Sequence, residues 1–120
     1  MINLDTHILI FAIGGDLRSD EQGLLANNTW SISSIVLWEL AKLIQLGRLD
    51  MDLDDPELVR VLSRLHVWPI DLAVARASTR LDFRSDPADE LIAATSVVHN
   101  IPLVTRDNTV RNSKTVPLAL

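Results

Sequence analysis

The chain has 120 residues and 13.3 kDa, with 48% apolar and 22% charged side chains, which is enough to enclose one core and too little for two. Its formal net charge of -5 excludes a broad basic surface for nonspecific nucleic-acid binding, and the lack of Cys excludes disulfides, thiolate nucleophiles, zinc fingers and iron–sulfur clusters. The longest apolar run, Ile8–Ile13, is far below the roughly 18 residues of a membrane span, and the opening MINLDTH lacks the basic stretch of a signal peptide. A single soluble, cytoplasmic domain over residues 1–120, with no membrane partner, is therefore expected.

Taken in chain order, Ile2–Leu4 predicts a short strand and Thr6–Ile13 a helix stopped by Gly14. A second helix is expected over Ser19–Asn27, then a strand over Trp30–Ser33, then a helix over Ser34–Leu46 with Gly47 as its stop. Asp55-Pro56 and Asp86-Pro87 each read as an N-cap followed by Pro at the first helical position, opening helices over Pro56–Leu65 and Pro87–His99. Val67–Ile70 predicts a strand and Leu72–Leu81 a helix; Leu103–Thr105 and Val116–Leu118 predict the last two strands. Strands alternating with helices long enough to cross back over a sheet indicate an α/β sandwich on a mainly parallel sheet.

Ligands of open α/β sheets collect at the carboxyl ends of strands. Four acids fall there. Asp5 follows the first strand, Glu39 lies about a turn inside the helix from Ser34, Asp89 is in the first turn after Asp86-Pro87, and Asp107 comes just past Leu103–Thr105. Carboxylates gathered on one edge repel each other strongly, so either they spread into solvent or a hard divalent cation holds them. Ordinary roles remain open for each. Asp5 would cap the first helix, and Glu39 would pair with Lys42 on a polar stripe. Asp89 would form a capping pair with Asp86, and Asp107 would be a turn residue.

The segments LDTH at 4–7, SSIVLWELAKLIQLGRL at 33–49 and DPADELIAATSVVHNIPLVTRD at 86–107 resemble the PIN-domain family, and within it the VapC-type toxins. The resemblance runs in order through nearly the whole chain and is weakest between Asp50 and Leu81. It implies a three-layer α/β/α sandwich, a Mg²⁺- or Mn²⁺-dependent endoribonuclease, and a cognate antitoxin whose tail covers the site. The family's acidic quartet maps onto Asp5, Glu39, Asp89 and Asp107. Thr105 matches a hydroxyl position able to support a ligand carboxylate, Thr6 and Ser33 line the same edge, and Asp86 is better explained as a helix cap. Glu90, where a basic residue is frequent, and the loosely matching RNSKTVPLAL at the C-terminal end depart from the pattern.

On this reading the acids hold one or two divalent ions that position a phosphodiester and activate water for in-line attack. The basic residues are nine Arg and two Lys, a choice that suits bidentate phosphate contact. Arg106 beside Asp107 is the best-placed contact to RNA or antitoxin, followed by Arg84. Arg76, Arg80 and Arg84 would form one stripe if the helix from Leu72 continues that far. His99 closes a helix where a cation suits the dipole, and Trp30 and Trp38 are read as core or dimer packing. A mean hydropathy of +0.20 suggests that a second copy or an antitoxin helix covers part of the surface, so a homodimer is expected. The competing reading is a noncatalytic PIN-like binding module. A receiver domain fits poorly because Lys occurs only at 42 and 114, a glycosidase because the chain offers little sugar platform, and no Walker A or GxGxxG pattern supports a nucleotide cofactor.

Overall fold

The computed structural model describes residues 1–120. Its elements are β1 (Ile2–Leu4), α1 (Thr6–Gly14), α2 (Ser19–Ala26), β2 (Trp30–Ser33), α3 (Ser34–Gln45) and α4 (Pro56–Ser63), followed by β3 (His66–Trp68), α5 (Leu72–Ser78), α6 (Pro87–His99), β4 (Leu103–Val104) and α7 (Asn108–Arg111). The four strands form one sheet in the order β3-β2-β1-β4, and every pairing is parallel. The chain steps from β1 through β2 to β3, then crosses back to lay β4 on the other side of β1. Right-handed crossovers in these two directions put helices on both faces of the sheet, giving three layers. The reversal falls between β1 and β4, which makes the crevice beyond their carboxyl ends the natural ligand position. No helix is long and apolar enough to cross a membrane.

Four sequence expectations change. The third strand is His66–Trp68 instead of Val67–Ile70, because Pro69 has no N–H to continue the ladder. Val116–Leu118 is reduced to one parallel bridge between Leu103 and Leu118, with the Leu103 N–H donating to the Pro117 carbonyl at 2.9 Å; Pro117 itself cannot donate. Helix α5 ends at Ser78, where the Ser78 and Thr79 hydroxyls donate to the carbonyls of Ala75 and Arg76 and compete with the helical ladder. Arg80 and Arg84 therefore lie beyond the helix, and the expected Arg76/Arg80/Arg84 stripe does not form. Trp38 is 55% exposed, with the Lys42 ammonium 5.9 Å from its ring, and is not a core residue of this chain. His99 closes α6 as expected, and its ring stacks on Trp68 with centroids 3.9 Å apart.

The core gathers around β1, where Ile2 and Leu4 pack with Ile8, Ile32, Ile92 and Val104. Between those two apolar residues stands Asn3, wholly buried and paired in register with Ser31 of β2 and Leu103 of β4. Its Nδ2 donates to the Ile92 carbonyl at 3.2 Å and to Ser96 Oγ at 2.9 Å, tying the central strand to α6. This tie sets where the first turn of α6 lies relative to the end of β1. Asn3→Ala removes both bonds and opens a cavity, so it should cost about 2–3 kcal/mol of stability in urea denaturation; a loss below about 0.5 kcal/mol would show that packing alone holds α6.

Candidate active site

Asp5 is the first residue past β1 and the N-cap of α1, so its carboxylate turns into the carboxyl edge of the sheet by local necessity. Only 9% of it is exposed. Its Oδ1 accepts the Thr6 N–H at 2.7 Å and its Oδ2 accepts the Thr105 hydroxyl at 2.7 Å. Thr105 lies just past β4, and its Oγ1 in turn accepts the Asp107 N–H at 3.1 Å. A single hydroxyl thus links two of the acids across the β1/β4 crevice. Asp107 is the N-cap of α7, with Oδ1 accepting the Thr109 N–H at 2.9 Å. The helix was missed in the sequence because four residues carry no periodicity.

Asp5, Asp89 and Asp107 line one cavity of about 380 Å³ together with His7, Phe11 and Arg106. Asp89 stands in the first turn of α6 and accepts the Ser85 hydroxyl at 3.2 Å; no capping pair with Asp86 forms. Glu39 is not part of the cavity wall. Its Oε1 accepts the Thr6 hydroxyl in a short hydrogen bond behind Asp5, and Lys42 donates instead to Gln45, so the expected surface pair is absent.

The acids feel one another. Burial raises the Asp5 carboxyl above its ordinary value, and the Asp107 charge pushes in the same direction. Glu39 is also raised, mainly by burial and then by Asp5, with a further push from Asp86. Asp89 is pushed up to about 6 by burial and by the charges of Asp5, Glu39 and Asp107. The donor chemistry is all oxygen and mutually repulsive, which is what a hard divalent cation relieves. As the side chains stand, no three acids or imidazoles form a ready-made cage, so ligation requires some of them to rotate inward.

The supporting residues divide. Thr6 and Thr105 each donate a hydroxyl to an acid, whereas Ser33 is fully buried and its Oγ accepts the Ile35 N–H at 3.3 Å as the N-cap of α3. Asp86 occupies the N-cap position of α6, yet its side chain makes no capping bond. Its charge reaches Glu39 instead. Arg84 lines a different hollow with Ser78, Thr79 and Glu90, away from the acids; Arg106 lines the acidic cavity. Sequence reasoning missed His7 and Phe11 as wall residues, and Glu21 entirely. Glu21 is 3% exposed and carries the guanidinium of Arg106. An acid in the first turn of an ordinary surface helix gives no sign of that role.

The PIN domain family profile matches residues 2–114. The chain belongs to the PIN domain family. Solved structures of similar fold include VapBC2 from Rickettsia felis bound to a DNA fragment from its promoter, 27% identical, with 99% of this chain and 98% of that one covered at a TM-score of 0.73. FitAcB from Neisseria gonorrhoeae is 21% identical over 100% and 97% at 0.72, and DNA-bound VapBC from Salmonella typhimurium is 23% identical over 99% and 98% at 0.70. At these last identities the likeness is one of fold. Among curated proteins the sequence finds no match.

A PIN site of repelling acids carries a stability signature. The folded value of Asp89, about 6, lies above the ordinary 3.8, so its contribution to stability is complete below about pH 3.8 and is lost as pH rises through about 6. Asp5 and Glu39 shift the same way. In metal-free buffer the wild-type Tm should fall by a few degrees between about pH 5 and about pH 7.5. Asp89→Asn should melt higher than wild type at the upper pH, by a margin on the order of 1 kcal/mol; a variant that melts lower would show that the ionised carboxylate is stabilising.

Proposed function

We propose that the chain, as a single PIN domain over residues 1–120, is a metal-dependent endoribonuclease that serves as the toxin of a toxin–antitoxin pair. The observation that carries this reading is the convergence of Asp5, Asp89 and Asp107 on one cavity, with Glu39 bonded to the Thr6 hydroxyl next to Asp5 and the charges of Asp5, Glu39 and Asp107 all raising the carboxyl of Asp89. Family membership supports it, as does the likeness over nearly both full chains to VapBC2. Mg²⁺, or Mn²⁺ as the alternative, held by Asp5, Glu39, Asp89 and Asp107, would neutralise much of the formal charge of -5, draw a phosphodiester to the site and activate water.

The chain's own groups supply the positioning. Asp5 cannot swing away, because the Thr6 N–H and the Thr105 hydroxyl engage its two oxygens. Thr105 keeps Asp107 in step with Asp5, and Thr6 does the same for Glu39. Asp89, resting on Ser85 alone, is the acid freest to rotate inward. A divalent cation held there would relieve the repulsion among these carboxylates, so the site trades fold stability for affinity.

The partners follow from surface chemistry. Leu37, Trp38 and Leu46, at 37%, 55% and 62% exposure around α3, give an apolar face that a cognate antitoxin or a second copy would cover. The lack of a ready-made three-ligand cage favours a second reading, a noncatalytic PIN-like module that binds RNA or protein. Cleavage assays on a panel of structured and unstructured RNAs separate the two. Purified protein should cut RNA with Mg²⁺ or Mn²⁺ and stop in EDTA. Asp5→Asn, whose side-chain oxygen still caps α1, should stay folded and lose at least about a hundredfold in rate. Folded protein that cuts nothing with either metal would leave the binding module standing.

A further inference from the structure

One ion pair in the molecule is far more elaborate than a surface contact needs to be. Arg106 Nε donates to Glu21 Oε2 at 2.9 Å and its Nη2 donates to Glu21 Oε1 at 2.6 Å, a two-pronged fork onto a carboxylate that is 3% exposed. Nη2 also reaches the Asp16 carbonyl at 3.3 Å, and the guanidinium carbon sits 4.0 Å from the centre of the Phe11 ring. Glu21 is itself held, its Oε1 accepting the Arg18 N–H at 2.8 Å. This arrangement leaves the two Nη1 hydrogens as the donors without a protein partner, and they are not buried.

The place of this guanidinium matters as much as its restraint. Arg106 stands between Thr105 and Asp107, lines the acidic cavity, and is the only Lys or Arg in that wall. It also lines a second, strongly polar cavity of about 270 Å³ shared with Arg18 and Arg111. A polyanion approaching the acids meets repulsion from every carboxylate in the wall and a fixed, directional donor pair from Arg106 alone.

We propose that Glu21 is a positioning residue: it locks the Arg106 guanidinium against Phe11 so that its free Nη1 hydrogens grip a backbone phosphate of RNA beside the acidic cavity. The proposal rests on the nuclease reading for its polymer. It differs from a plain charge argument in sign. Removing an acid from a protein of net charge -5 should tighten RNA binding if only bulk charge matters. Removing Glu21 should weaken binding if its work is to aim Arg106.

The test uses the full chain and a fluorescent single-stranded RNA, with cleavage followed in Mn²⁺ and binding by anisotropy in the Asp5→Asn background. Arg106→Gln should raise KM and the binding Kd about tenfold, leave kcat within about threefold, and lower the slope of log K against log salt by roughly 0.7, one phosphate contact on a single strand. Glu21→Gln should raise KM severalfold, and that effect should vanish when Arg106 is already Gln. Arg106→Lys, which keeps the charge and loses the fork, should behave like Arg106→Gln in KM. If Glu21→Gln does not fold, Glu21→Asp, which keeps the charge but shortens the reach to Arg106, takes its place and should show the same rise in KM and the same loss of that effect in Arg106→Gln. Unchanged or tighter RNA binding in these variants overturns the proposal and leaves Arg106 to a protein contact or to stapling α2. Wild-type protein that binds RNA but never cuts it overturns the nuclease reading instead, while the anisotropy arm still judges the clamp.

Discussion

The carboxyl edge of the sheet is organised by one side chain, the buried carboxylate of Asp5, whose two oxygens serve two masters. One ends a strand and starts a helix by accepting the Thr6 N–H; the other receives the Thr105 hydroxyl from the far side of the topological crevice. Because the acid is needed locally as a cap and at long range as a link between β1 and β4, its orientation is settled by structure before any ligand arrives. Thr6 and Thr105 then pass that orientation on, through single hydroxyls, to Glu39 and Asp107.

Such an edge is costly. Burial and mutual charge push Asp5, Glu39 and Asp89 toward the protonated form. Buried polar groups elsewhere offset the cost by fixing geometry. Asn3 anchors α6 to the central strand, and Ser31 in the adjacent register position donates its hydroxyl to the Ile2 carbonyl. Strong apolar packing of Ile2, Leu4, Ile8 and Ile32 around them lets the sheet carry a repulsive edge.

Much of the fold was legible in the sequence because it was written in local signals. Alternating apolar segments, the Asp-Pro helix starts and the Gly stops placed β1, β2, α3, α4 and α6 within a residue or two. What failed were ends decided by competition for backbone groups: Pro69 and Pro117 cutting strand ladders short, and the Ser78 and Thr79 hydroxyls closing α5 before Arg80. The acids at strand ends were legible for the same topological reason, since Asp5, Asp89 and Asp107 do meet at one cavity. Their supports were less so. Ser33 reads like an edge hydroxyl and is used as a cap, and Glu21 reads like a surface acid although it is buried under Arg106. A long-range ion pair has no period, spacing or flanking residue by which a single sequence could announce it.

The hydrogen bond between Thr105 and Asp5 joins residues 100 positions apart. The β1–β4 pairing spans as much chain, and the Asn3 bonds to α6 span nearly as much. During synthesis β1 leaves the ribosome early and must wait, with neither its second neighbour nor the helix above it yet made. Asp5 faces Asp107 only after almost every other element has emerged, so truncated and nascent chains carry the acids without the crevice that brings them together. The acidic edge is thus among the last features of the fold to close, because the residues that face one another across it lie near opposite ends of the described chain.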